Sequence, residues 1–237
     1  MAIGRKNLFP SHTQLFLQGM LKAVPIVLGY LPVGFAFGVL AEKAGISTIN
    51  ALLMSLIVFA GSSQLIVVGL MAAGITPVSI IMTTFVVNLR HMLMSAALSP
   101  YLQQWSRSAL AGFAYELTDE TFAIHAARFS REEPQKVETF AINFTSHAAW
   151  IAGTWLGVAA GSFIADVEPF ALDYALPAMF IALLVMQIKA KSQIFSALIA
   201  AGISVVLLLL GFGQWHVILG TIIGATFGVM VEQWIKT

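Results

Sequence analysis

Eight stretches of this chain are apolar for about the length a helix needs to cross a bilayer, roughly 20 residues. They run Lys22–Leu40, Asn50–Ala72, Pro77–Leu98, Ala109–Arg128, Thr139–Ile164, Leu172–Gln187, Ile194–Leu210 and His216–Trp234. Charged residues make up 10% of the sequence, against about 25% in soluble domains, too few to clothe a soluble surface. The expected fold is therefore all-α, a polytopic transmembrane helical bundle. It forms one domain over residues 1–237, with no room for a separate soluble catalytic domain. Residues 1–21 form a cytoplasmic N-terminal segment, in which Ser11–Met20 reads as a short interfacial helix leading into the first span. No apolar region followed by a small-residue cleavage site marks a removable signal peptide.

The fourth stretch carries Glu116, Asp119 and Glu120 in its middle, so seven spans are the alternative to eight. Cytoplasmic loops are enriched in Lys and Arg, and only those residues count. With eight spans and both termini inside, Arg5, Lys6, Lys22, Arg128, Arg131, Lys136, Lys189, Lys191 and Lys236 are cytoplasmic, and Lys43 and Arg107 are outside. Arg90 lies within a span, and the acidic loop Asp166, Glu168, Asp173 falls outside. With seven spans, Lys189 and Lys191 move outside and the acidic loop moves inside. The eight-span arrangement fits better.

Turn residues separate the stretches at Gly45-Ile46-Ser47, Gly74 to Pro77, Glu132-Glu133-Pro134 and Gly211-Phe212-Gly213. Tyr30-Leu31-Pro32 with Phe35 is echoed by Tyr174 to Phe180 around Pro177. The two segments cross in opposite directions, as inverted repeats of transporters do. Chance likeness between proline-containing apolar helices is the other reading. The chain has no cysteine, which excludes disulfides and thiolate metal sites. A net charge of +1 without runs of like charge argues against a nucleic-acid partner. No phosphate-binding loop and no signature of a hydrolase or metalloprotease is present, so neither a metal nor a cofactor is expected.

An ionisable group at mid-membrane costs roughly 2.5–3.5 kcal/mol and usually faces a cavity or a partner. In the second stretch, Gly61, Ser62, Ser63 and Gln64 interrupt an apolar run. Such residues let a helix open so that its backbone N–H groups meet an anion; close helix packing is the alternative. In the third, Asn88, His91 and Ser95 share a helix face. Arg90 points about a hundred degrees from His91 and needs a carboxylate or an interface. In the fourth, Glu116, Asp119 and Glu120 share a face at i, i+3, i+4. Three carboxylates so close cannot all ionise cheaply, so one is expected to hold a proton. Solvated carboxylates at an interface are the alternative. In the fifth, Asn143, Ser146, His147 and Trp150 form a polar stripe. His12, His125 and His216 fall near the expected surfaces and receive no role.

Polar features in four successive stretches point to one internal cavity lined by both charge signs, which suits a zwitterion. Its carboxylate would meet Gly61, Ser62, Ser63 or Arg90, with Gln64 and Asn88 beside them. Its ammonium would meet Glu116 or Asp119. Glu116, Asp119, Glu120, His91 and His147 are the candidate proton-coupling groups. A rival reading is an intramembrane enzyme using His91, His147 and the fourth-stretch carboxylates around a metal. A channel or accessory subunit is another.

At these same segments the chain resembles the AzlC-type family, the large subunit of two-component branched-chain amino-acid exporters. The resemblance rests on Pro32 to Gly38 (PVGFAFG), Phe59 to Gln64 (FAGSSQ), Asn88 to His91 (NLRH) and Leu117 to Phe122 (LTDETF). It implies proton-motive-force-linked export of leucine, isoleucine and valine, often with methionine. It also implies a bacterial inner membrane and a small AzlD-type membrane partner, without which this chain is expected to be inactive.

Overall fold

The computed structural model describes residues 10–164, 191–212 and 215–236, with 174, 177, 178, 181, 184, 185 and 188 between them. The acidic loop and most of the expected span Leu172–Gln187 and of the second half of the echo lie outside the described residues. Every regular element described is helical: α1 (His12–Lys43), α2 (Thr48–Leu53), α3 (Gly61–Ala72), α4 (Pro77–Leu98), α5 (Arg107–Tyr115), α6 (Asp119–Phe129), α7 (Lys136–Gly161), α8 (Lys191–Leu209) and α9 (Trp215–Lys236). A π-helical turn, Met54–Val58, continues α2.

Helix starts follow local chemistry. Ser11, Ser47, Thr76 and Ser106 each accept a backbone N–H at the start of α1, α2, α4 and α5, meeting donors that a first turn leaves free. Gly45, Gly74 and Gly211 take positive φ of 78°, 68° and 81° where the expected turns lie. Ser11–Met20 does not form a separate interfacial helix. It is the first part of the 32-residue α1, because the Ser11–Gln14 capping box starts a helix that continues through Pro25 and Pro32 to Lys43.

The core of the molecule is α1 packed along α7. Gly34 and Gly38 on α1 face Gly153 and Gly157 on α7, four residues apart on each helix. Removing side chains there lets the two backbones touch, the small-xxx-small packing of membrane helices. A Cβ on Gly153 would lie 2.7 Å from the Leu31 carbonyl oxygen, and one on Gly157 would strike that of Phe35. Helices α8 and α9 pack on each other in the same manner, with Gly220 and Gly224 against Ser204 and Ala200. Helix α4 buries only Met94 and Leu98 and leaves Val78, Ile81, Met82, Phe85, Met92 and Leu93 exposed.

Two of the expected spans are broken in mid-course. The second breaks after the π turn: Phe59 adopts the left-handed conformation (φ 42°, ψ 50°), and α3 restarts at Gly61. A non-glycine residue there carries strain of about 1–3 kcal/mol. The buried Phe59 ring is held against His147, centroids 3.8 Å apart. The fourth stretch is not one helix. It stops at Tyr115 and restarts at Asp119, because Thr118 caps the new helix in a box with Thr121. Glu116, Asp119 and Glu120 therefore do not share a helix face, which corrects the expected three-carboxylate cluster. Among the described residues, length and apolarity alone single out two candidate membrane crossings, α1 and Pro77–Tyr101. The halves of the broken second stretch are each too short for that test.

Candidate functional site

The two breaks face each other across one narrow cavity of about 20 Å3, partly open to the exterior. One wall is the restart of the second stretch, Phe59, Ala60, Gly61 and Ser62; the opposite wall is the restart of the fourth, Thr118, Asp119 and Glu120. Tyr30 of α1, Arg90 and His91 of α4, and Trp150 of α7 close the sides. Gly61 is required here: a Cβ would lie 2.7 Å from the Trp150 ring.

The two helix starts differ electrically. Each presents partial positive charge on its free N–H groups. In α6 that charge is already met by Asp119 and Glu120 in the first turn. In α3 no acidic residue stands in the first turn, and Ala60 at the cap position has no polar side chain to meet the first-turn N–H groups. Arg90 bridges the two walls, with Nη1 2.7 Å from Asp119 Oδ2 and Nη2 donating to Ser62 Oγ. The Tyr30 hydroxyl lies 2.6 Å from Glu120 Oε2 and 2.7 Å from Thr118 Oγ1. Having one proton, it can donate to only one of them. The cavity thus has an open helix start on one wall, two carboxylates on the other and the Arg90 cation spanning the two.

A family model described as "AzlC protein" matches residues 25–164, and these include every residue that lines the cavity. The chain belongs to the AzlC family. "Inner membrane protein YgaZ" of Escherichia coli K12 is 33% identical over 185 residues, covering 76% of this chain and 76% of its own length. An "Uncharacterized membrane protein" of Archaeoglobus fulgidus is 31% identical over 226 residues, covering 94% of this chain and 97% of its own. "Branched-chain amino acid transport protein AzlC" of Bacillus subtilis 168 is 27% identical over 199 residues, covering 82% of this chain and 76% of its own. No solved structure matches. This AzlC-family chain is a membrane protein.

Of the residues singled out in the sequence, Gly61, Ser62, Arg90, His91, Asp119 and Glu120 line the cavity. Arg90 and His91 thus meet the same space although they point to different sides of α4. Ser63, Gln64, Asn88, Glu116 and His147 stand behind the walls. Asn88 donates to Ser63 Oγ at 3.2 Å, and Ser63 donates to the Ala60 carbonyl at 2.9 Å, which braces the α3 start. Trp150, from the expected polar stripe of the fifth stretch, also lines the cavity, whereas Tyr30 and Thr118 were not foreseen as lining groups. A hydroxyl in the first span and one directly before Asp119 are the signals that could have found Tyr30 and Thr118.

The break in the second stretch frees backbone groups, and buried side chains of this AzlC-family chain take them up. Phe59 N–H pairs with Met54 O, five residues back, which leaves the Ser55 carbonyl without a helical partner. His147 Nε2 lies 3.0 Å from that carbonyl. A carbonyl can only accept, so Nε2 carries the proton. His147 Nδ1 then faces Glu116 Oε2 at 3.0 Å. Either the glutamic acid donates to Nδ1 or imidazolium pairs with carboxylate; both hold one shared proton and are neutral overall. The Leu56 carbonyl accepts from the Tyr115 hydroxyl.

Gln64 is fully buried and joins three groups. Its Oε1 accepts from Ala60 N–H at 3.3 Å and from Trp150 Nε1–H at 3.1 Å, and its Nε2 donates to Ser55 Oγ at 3.1 Å. Gln64→Leu keeps the volume and strands Ala60 N–H and Trp150 Nε1–H, while Ser55 keeps its hydrogen bond to Thr154. The expected cost is roughly 2–4 kcal/mol, given about 1–3 kcal/mol per buried group left unpaired and partial relaxation. A lowered melting temperature of the purified protein in detergent checks it, and an unchanged one contradicts the network.

Proposed function

We propose that this protein is a secondary transporter that exports branched-chain L-amino acids (leucine, isoleucine and valine), together with methionine, in exchange for protons. In this reading it crosses a bacterial inner membrane about eight times, with both termini cytoplasmic, and works with a small AzlD-type membrane subunit. The observation that carries the reading is the charge layout of the cavity. Broken helices that turn their N-termini to a shared site are how transporters hold a substrate carboxylate away from water. The uncapped α3 start with Arg90 suits the carboxylate, and Asp119 with Glu120 suits the ammonium. Glu116 is excluded from direct contact by its pairing with His147 behind the Phe59 ring. Phe59, Tyr30 and Trp150 offer the apolar surface for an aliphatic side chain. Kinship with a relative named for branched-chain amino acid transport favours the same substrates.

Proton coupling follows from competition at one place. Asp119 and Glu120 can neutralise an ammonium or hold a proton, but a shared site does not do both at once. Substrate bound from one side would be replaced by a proton taken from the other. The Tyr30 hydroxyl stabilises whichever form of Glu120 is present, because it can donate to a carboxylate or accept from an acid. The exposed apolar length of α4 suits lipid or the small subunit.

Cells that express this chain with its small partner should export labelled leucine and valine faster than cells lacking either one. Equal efflux with and without this chain would refute the transport reading.

A further inference from the structure

A second set of buried polar side chains lies between α6 and α7, outside the cavity. His125, expected at the surface, is fully buried. It sits between the Phe113 and Phe129 rings, with centroids at 5.3 and 5.1 Å. Its Nε2 lies 2.7 Å from Asn143 Oδ1. An amide oxygen accepts, so Nε2 carries a proton and, in the neutral ring, Nδ1 is left with a free lone pair. Among the described residues Nδ1 finds no partner, and neither do Asn143 Nδ2, Thr139 Oγ1 and Arg128 Nε and Nη1, all of them buried atoms. Buried polar atoms rarely stay unpaired, and each such group calls for an explanation. An apolar pair of helices would pack here without them.

These atoms form a column. Thr118, which lines the cavity, is 3.2 Å from Thr121 through their hydroxyls. Thr121 and His125 are one turn apart on α6, about 5.4 Å along the axis. Asn143 and Thr139 are one turn apart on α7, and Glu138 is next to Thr139. Glu138 pairs with Arg128 and, at 2.5 Å, with Lys22. Lys22 is half-exposed, and Glu132, 3.8 Å from Arg128, is exposed. The column therefore runs from the substrate cavity to the surface. The charged groups facing His125 are Arg128 on its own helix and Glu138 on α7, and the rings of Phe113 and Phe129 cover its remaining sides.

We propose that Thr121, His125, Asn143 and Thr139 form a hydrated proton path between the cavity and the end of the bundle marked by Lys22, Arg128 and Glu138, with His125 as the group that takes up and passes on the proton. A single water needs two to four polar partners, and the unpaired atoms of His125, Asn143 and Thr139 offer them. In the eight-span arrangement that end is cytoplasmic, so a proton displaced from Asp119 or Glu120 leaves by a route separate from the substrate. The proposal rests on the proton-coupled transport reading. It adds a relay that does not touch substrate.

The test uses the complete transporter, with its small partner where required, in proteoliposomes. Two rates are measured with labelled leucine: counterflow at equal pH on both sides, and uptake driven by a pH gradient. His125→Gln keeps an amide to pair with Asn143 but cannot carry a proton. It should reduce gradient-driven transport at least tenfold and abolish its pH profile, with counterflow changed less than about twofold. Thr139→Val leaves His125 in place and breaks the column nearer the surface. It should give the same split, and it keeps the test decisive if His125→Gln does not fold. Gradient-driven rates that stay at the wild-type level in either folded variant overturn the path. So does a parallel fall in both rates in both variants, which would mark a purely structural role. Failure of the underlying reading looks different: the wild-type protein itself would show no counterflow, or counterflow with no response to a pH gradient.

Discussion

Arg90→Met should lower leucine transport about 100-fold while folded protein stays within about twofold of wild type. A charge-assisted hydrogen bond contributes roughly 1.5–3 kcal/mol, and about 1.4 kcal/mol is a factor of ten. Arg90 makes two contacts, to Asp119 and to Ser62 at the start of α3, and in the proposed mechanism its guanidinium also meets the substrate carboxylate. Arg90→Lys should retain part of the activity, because a single ammonium cannot span both walls as the planar fork does. Asp119→Asn should lose activity as well, and unchanged transport in that variant would remove the carboxylate from the mechanism. A purely structural ion pair predicts a different pattern. The neutral double variant Arg90→Met/Asp119→Leu would then restore function, since exchanging a buried ion pair for apolar groups is often neutral or stabilising. The expectation here is a folded and inactive double variant. Detergent-stable yield together with leucine counterflow decides between the two.

Gly157→Val should prevent the protein from accumulating in a folded form. A Cβ at that position would strike the Phe35 carbonyl oxygen and sit 3.0 Å from Gly38 Cα. Both are backbone atoms of α1, so no side-chain rotation relieves the contact, and the helices must separate along the interface that carries the core. Overpacking of this kind typically costs about 1–3 kcal/mol, and a backbone clash lies at or above the upper end. Gly29→Ala is the control. Nothing lies within 4 Å of a Cβ there, and alanine is favoured over glycine in a helix by about 1 kcal/mol. Size-exclusion profiles and melting curves should separate the two variants clearly. A monodisperse Gly157→Val protein with wild-type melting would show that α1 and α7 do not meet as described.

Much of this architecture was legible in the linear sequence. Apolar runs gave the all-helical fold and the bounds of α4, since hydropathy and 3.6-residue spacing are local properties. The turns at Gly45, Gly74 and Gly211 were visible because a positive φ favours glycine. The Gly61-Ser62-Ser63 run marked an opening in the second stretch, because small residues and hydroxyls are what a broken helix needs. The spacing of Gly34, Gly38, Gly153 and Gly157 also announced the α1–α7 contact, although it was not read that way.

What the chain alone could not decide was partnership. Helical spacing placed Glu116, Asp119 and Glu120 on one face, but the Thr118 cap ended that helix between them. Each carboxylate then found its own partner, His147, Arg90 and Tyr30 respectively. His125 was placed at the surface because it lies near the end of its stretch, yet α7 and two phenylalanine rings cover it. Segment type follows from neighbours within a few residues, so the sequence determines it. Which charge meets which depends on side chains 29 to 90 positions apart, as Arg90–Asp119 and Tyr30–Glu120 are, and only the packing of the helices fixes that.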